Sequence, residues 1–144
     1  MTAGPFVGSA PLPVATAWAD AREVGLSILV VDDDAGFRDL VADLLTARGF
    51  AVVPPVAGPA EALVAFRRHR PRCVLIDVNL AGHDGRCLAY ALSKENPAPT
   101  MVLTSTDTLA CAGDDVQACG AVAFVSKDRL GATDLAGLFS SADR

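Results

Sequence analysis

The stretch "ILVVDDD" (28–34) decides the fold. Four apolar residues, Ile28 to Val31, run straight into Asp32, Asp33 and Asp34. Like charges held at 4 Å repel by roughly 4 kcal/mol per pair when the effective dielectric is about 20. Acids bunched at the tip of a buried segment therefore either end a strand and cap a helix, or wait for a cation.

Four further apolar runs follow: "AVVPPV" (51–56), "CVLI" (73–76), "MVL" (101–103) and "AVAFV" (121–125). Most are continuous rather than alternating, as in parallel strands covered on both faces. Pro54 and Pro55 put the second run at a sheet edge, or end it there. Helical patterns lie between the runs. Phe37, Leu40, Val41, Leu44 and Leu45 form one apolar stripe, stopped by Gly49. Pro59 suits a first helical position, with "AEALVAFRRHR" behind it. The basic end of that segment complements a helix dipole, so "RRHR" reads as a solvated terminus. A third helix spans about Arg86 to Glu95. A fourth, around Asp107 to Cys119, is weakened by Gly113, Asp114 and Asp115. A fifth starts near Thr133 and is short. Five βα units predict an α/β domain with a parallel five-stranded sheet and helices on both faces. Its functional site belongs at the carboxyl ends of the strands.

Composition narrows the function. The 144 residues fit one domain, and 51% hydrophobic with 20% charged residues supports a real core. A net charge of -5 argues against a bulk electrostatic grip on nucleic acid and suits cations or basic partner surfaces. Cys73, Cys87, Cys111 and Cys119 form no C-x-x-C pair, and only His69 and His83 could join them, so a zinc site is not expected. They read as thiols in a reducing cytosol. Residues 1–26, rich in Ala, Pro and Gly, read as a flexible tail in which Trp18 could dock on the domain or a partner. This tail lacks the basic start of a secretory signal, and no apolar window could span a membrane. The domain then occupies 27–140, with 141–144 as a terminal end.

Residues with shared chemistry follow the runs. After the first come Asp32 and Asp33; Asp34 reads instead as a helix cap. After the third comes Asp77, then "VNLAGHDG". After the fourth comes Thr104, and after the fifth Lys127. Carboxylates, a hydroxyl and a lone ammonium on one rim make a phosphoryl-transfer constellation. The oxygens suit Mg²⁺, a carboxylate can be the nucleophile, and the hydroxyl and ammonium can bind phosphoryl oxygens. Taken singly, these residues have ordinary structural explanations: Asp84 with Gly85 is a turn and helix start, and His83 an exposed loop residue.

The ordered set "VVDD", "LIDVNLAGHDG", "VLTS" and "FVSK" resembles a response-regulator receiver domain of two-component signalling, similar to the chemotaxis receiver, over about residues 27–140. The resemblance implies a flavodoxin-like (βα)5 three-layer sandwich with strand order 2-1-3-4-5. It implies that Asp77 accepts the phosphoryl group and that Asp32, Asp33, Asp77 and the backbone carbonyl of Asn79 bind Mg²⁺. Thr104 and Lys127 would then engage the phosphoryl group, and Thr104 and Phe124 would be the switch residues. Asn79 and Thr106 stand at positions that tune phosphoryl lifetime. The implied donor is a sensor histidine kinase or a histidine phosphotransfer protein. The implied output is protein–protein contact by the fourth helix, fifth strand and fifth helix of a cytoplasmic, stand-alone monomer or weak dimer. No enzymatic activity is expected beyond its own phosphotransfer and dephosphorylation.

Three positions depart from that family. Asp128 follows Lys127 where Pro is usual, and a cis bond before a non-proline residue costs roughly 2.5–4 kcal/mol. Ala81 stands where Pro is favoured, which predicts a looser loop. Phe124 lacks the common tyrosine hydroxyl. These departures motivate an alternative, an interaction module that keeps the fold without using phosphorylation. A phosphatase-like hydrolase fits poorly, because Asn79 offers no general acid two residues after Asp77.

Overall fold

Strands β1 (Ser27–Val31), β2 (Ala51–Val52), β3 (Cys73–Asp77), β6 (Thr100–Ser105) and β7 (Ala123–Ser126) form one parallel sheet in a computed structural model that describes residues 25–106 and 113–141. Their spatial order is β2-β1-β3-β6-β7, the expected 2-1-3-4-5. β4 (Asn79–Leu80) and β5 (His83–Asp84) add a small antiparallel hairpin.

The continuous apolar runs work as two alternating sets. Leu29, Val31, Val74, Ile76, Met101 and Leu103 pack on one side with α2 (Pro59–His69), α3 (Gly85–Ser93) and α4 (Gly113–Ala118). Ile28, Val30, Cys73, Leu75 and Val102 pack on the other with α1 (Ala35–Ala47) and α5 (Leu135–Ser141). Fully burying each large aliphatic side chain contributes about 1.5–3 kcal/mol. β2 is short and lies at the edge, as Pro54 and Pro55 require. No helix among the described residues is long and apolar enough to cross a membrane.

Several expectations change. Leu26, assigned to the tail by composition, is buried, and its carbonyl accepts from the Ala51 amide. Residues 1–24 of that tail, with Trp18, lie outside the described residues, as do Cys111 and the start of the fourth helix. Leu40 is 68% exposed, so the α1 stripe is narrower than its apolar residues suggest; Val41 and Leu45 supply its buried contacts. The loop after Asp77 is not loose. Leu80 pairs with His83 across a two-residue turn, with positive φ at Ala81 (46°) and Gly82 (89°). Positive φ at both central residues suits the twist of a tight hairpin. Proline cannot adopt φ 46°, so this turn needs a residue other than the family's usual one.

A 3-10 helix, Lys127–Ala132, precedes α5 and was not foreseen. Both of its ends are tied. The Ser126 hydroxyl donates to Asp128 Oδ1 at 2.7 Å. At the far end Arg48, the residue capping α1, donates to the carbonyls of Thr133 (2.7 Å), Leu130 (3.5 Å) and Gly131. Hydrogen bonds from a charged donor contribute about 1.5–3 kcal/mol. Arg48→Met should therefore lower the unfolding free energy in urea by about that amount. A loss below about 0.5 kcal/mol, the range of an ordinary surface change, would show that the guanidinium does not hold this segment.

Candidate functional site

The carboxyl ends of β1, β3, β6 and β7 meet at one rim. Carboxylate oxygens of Asp32, Asp33 and Asp77 all lie within 4.8 Å of one another. Asp32 and Asp77 are buried, at 1% and 4% exposure, while Asp33 is open to solvent. Each buried carboxylate is held in the same way. Asp32 Oδ1 accepts from the Asp34 amide at 2.9 Å, and Asp77 Oδ1 from the Asn79 amide at 3.1 Å. Their Oδ2 atoms share one cation. Lys127 Nζ lies 2.7 Å from Asp32 and 3.2 Å from Asp77. Both contacts are ion pairs, and the second is also a hydrogen bond. Lys127 also sits 4.2 Å over the Phe37 ring, a cation–π contact.

Electrostatics follow from this packing. Burial pushes the Asp77 carboxyl above its ordinary value and Asp32 adds to the rise; the Asn79 amide and Lys127 oppose it. Burial pulls Lys127 down, but Asp32 and Asp77 more than offset it and leave the ammonium above its usual value. Three carboxylates against one ammonium leave negative charge in excess. Three clustered hard oxygens suit a hard divalent cation such as Mg²⁺. Thr104 pairs with Asp77 in the strand register, and its buried Oγ1 has no hydrogen-bond partner. A buried hydroxyl costs free energy until something accepts from it or donates to it.

The sequence-selected residues therefore divide. Asp32, Asp33, Asp77 and Lys127 converge, with Thr104 adjacent. Asn79 enters through its backbone amide; its side chain is exposed. Phe124 stands apart, half-buried beside Leu103 and packed on the α2–α4 side of the sheet. Asp34 caps α1 and Asp84 caps α3, each accepting from the amide two residues on. The Lys127–Asp128 peptide is trans, so the loop works without a cis bond there.

Three contributors were missed. Phe37 was read only as core, yet it floors the lysine. Arg38 Nη1 donates to the Asp32 carbonyl at 2.7 Å, steadying the strand end. Gly85 lets α3 press against β3: its amide donates to Val78 at 2.7 Å, and a Cβ there would overlap the Asp77 carbonyl oxygen. Arg86 then forks onto Asp84 (2.8–3.2 Å) and reaches Asp115 of α4 at 3.5 Å. The Arg86 guanidinium holds the Asp84 carboxyl below the usual carboxylate range.

Gly85→Ala should displace the segment that carries Asp77 and cost about 1–3 kcal/mol, the scale of overpacking. An unchanged urea midpoint would show that α3 can back away freely.

The chain is similar to known proteins in sequence and in fold. The family model for the response regulator receiver domain matches residues 28–135. A protein-glutamate methylesterase/protein-glutamine glutaminase 2 of Xanthomonas euvesicatoria pv. vesicatoria is 35% identical over 105 residues, covering 72% of this chain and 30% of that protein. A probable transcriptional regulator ycf27 of Porphyra purpurea is 38% identical over 78 residues, covering 54% and 32%. The chain thus spans about a third of the length of these curated relatives. Among solved structures, a LuxR-family two-component response regulator from Aurantimonas sp. SI85-9A1 superposes with TM-score 0.73 at 24% identity, covering 83% of this chain and 86% of that one. A CheY-like receiver domain protein from Methanospirillum hungatei JF-1 gives 0.69 at 21%, covering 82% and 94%. With a parallel sheet in the 2-1-3-4-5 order and an acidic rim at its carboxyl end, this chain belongs to the response regulator receiver domain family.

Proposed function

We propose that the chain accepts a phosphoryl group on Asp77 from a phosphohistidine of a sensor kinase or histidine phosphotransfer protein. The observation that carries this reading is Lys127 shared between Asp32 and Asp77, beside the unpartnered Thr104 hydroxyl. An Asp77 carboxylate oxygen attacks phosphorus, the P–N bond breaks, and the imidazole leaves with the bonding pair. The product is an acyl phosphate. Asp32, Asp33, Asp77 and the backbone carbonyl of Asn79 would hold Mg²⁺, which supplies charge neutralisation for the phosphoryl oxygens. Lys127 pairs with one phosphoryl oxygen, and the Thr104 hydroxyl donates to another. Both groups turn toward the phosphoryl oxygens, Lys127 from its contacts with Asp32 and Asp77. The added charge biases the surface of α4, β7 and α5, with Phe124 at its centre, toward a second arrangement that a partner protein reads.

Acetyl phosphate with Mg²⁺ should add the mass of one phosphoryl group to the intact chain, and Asp77→Asn should abolish it. No adduct, together with no beryllofluoride binding, would favour a phosphorylation-independent module instead. In that case a partner captured by the wild type would be captured equally by Asp77→Asn.

The raised Asp77 pKa has a consequence for stability. The folded chain prefers the protonated carboxyl, so the charged form subtracts stability above the raised pKa. That penalty fades as pH falls through the folded value and is gone below the ordinary unfolded one. Metal-free Asp77→Asn should therefore melt at or above the wild type at pH 7, and the gap should close on acidification. Mg²⁺ should raise the wild-type Tm and raise the variant's less. A variant that melts lower and responds equally to Mg²⁺ would contradict both the charge balance and the metal assignment.

A further inference from the structure

We infer that the amino-terminal segment of this chain, residues 1–24, docks in a groove at the edge of the sheet, with Trp18 as its anchor. The groove lies between the chain that leaves β2 and the outer face of α2, and its volume is about 660 Å³. Ligand pockets typically span about 300–1,000 Å³. Pro54, Pro55 and Val56 form one wall, and Ala60, Val64 and Ala65 of α2 form the other. None of these six is buried, so an occupant can reach them all. Val64 is 68% exposed, on a helix face that water ordinarily keeps polar. Ala60, Val64 and Arg68 stand four residues apart and share that face. Charge stands only at the ends of the groove, with Glu61 in the first turn of α2 and Arg68 and His69 in its last. Contiguous apolar surface rimmed by polar residues marks an interaction site.

The point where the segment joins the domain identifies the occupant. The Leu26 carbonyl accepts from the Ala51 amide at 3.0 Å, and Ser27 Oγ accepts from the Arg72 amide at 2.9 Å. The chain therefore enters β1 between the start of β2 and the link that follows α2, at the Arg68–His69 end of the groove. Along α2 the groove runs from Ala60 to His69, about 14 Å at roughly 1.5 Å per residue. Trp18 stands seven residues before Gly25, a reach of roughly 23–25 Å for an extended chain. The order of residues matches the groove. Asp20, Arg22 and Glu23, two acids and one base, all lie within five residues of Gly25 and meet Arg68 first. Residues 1–19 carry no charged side chain and include Val14 and Trp18, which suit the walls at Val64, Pro54 and Pro55. Tryptophan offers the largest apolar area for such a contact.

Other occupants fit less well. Pro54 and Pro55 withhold two amide donors beyond β2, which disfavours pairing two copies edge to edge. An external partner must compete with a tethered segment, whose effective concentration on a short linker is about millimolar. Docking does not require phosphorylation of Asp77.

Trp18 is the chain's one tryptophan, so its fluorescence reads the docking in the full chain. Its emission should lie to the blue of its position in urea. Val64→Glu and Ala60→Glu should each move it toward the unfolded position. The urea midpoint followed by circular dichroism should stay unchanged in both, because both sites are exposed. In the ¹³C-labelled full chain, NOEs should join the Trp18 indole to the methyl groups of Val64 or Val56, and they should persist in Asp77→Asn. Emission already at the unfolded position, or emission that neither variant moves, would overturn the proposal. Emission that shifts over a hundredfold range of protein concentration, or NOEs found only between labelled and unlabelled chains, would assign the groove to a second copy and overturn it as well.

Discussion

The site depends on one ammonium reaching two buried carboxylates. Lys127 follows β7, while Asp77 ends β3 and Asp32 follows β1. With β6 between β3 and β7, the strand axes are roughly 10 Å apart at neighbouring spacings of about 4.8 Å. A lysine standing upright on β7 would not span that gap and also meet Asp32. The chain must lean over the rim as it leaves the sheet. It does so by entering a 3-10 helix at Lys127, with Ser126 clasping Asp128 behind it and Arg48 gripping the far end. Asp128, which looks like a defect where the family has proline, supplies the acceptor for that clasp.

What could be read in the sequence followed from how each signal arises. Buried parallel strands need apolar side chains on both faces, so all five runs were visible, and strand ends fix where polar residues converge. Asp32, Asp33, Asp77 and Lys127 were therefore legible together. The hairpin after Asp77 was not, because Ala81 carries no hint of a positive φ; the pairing of Leu80 with His83 imposes it. The 3-10 helix was invisible for a related reason: its ties come from Arg48, more than eighty residues upstream. Leu40 misled in the other direction. An apolar residue on a helical stripe predicts burial only if the opposing layer reaches that far; here it covers Val41 and Leu45, reaches Phe37 and Leu44 in part, and leaves Leu40 out.

Charge is distributed by pole. Asp32, Asp33 and Asp77 gather where the strands end, and Arg67, Arg68, Arg70 and Arg72 lie at the opposite pole. At the acidic end one lysine and two backbone amides hold the carboxylates in place without neutralising them. The buried Thr104 hydroxyl adds an unmet hydrogen bond. Both features cost free energy: the carboxylates keep negative charge in excess, and the hydroxyl goes unsatisfied. A region serving only as structure would often lose nothing if the whole set were replaced by apolar groups of similar shape, whereas removing one member alone leaves a buried charge unpaired.

α4 is tied to the core and to α3 by two different kinds of contact. Val116 and Cys119 anchor the helix and its carboxyl end in the core, and Arg86 reaches it from α3 at 3.5 Å. That ion pair is more than a third exposed on both sides, and such pairs contribute about 0–1 kcal/mol. Arg86 is bound more closely to Asp84, in the loop that follows Asp77. Arg86 thus links the loop that follows Asp77 to α4 by a contact weak enough to break or form at small cost, and this link does not pass through Phe124. β3, the hairpin and the first turn of α3 are joined through Gly85, which packs directly against the Asp77 backbone.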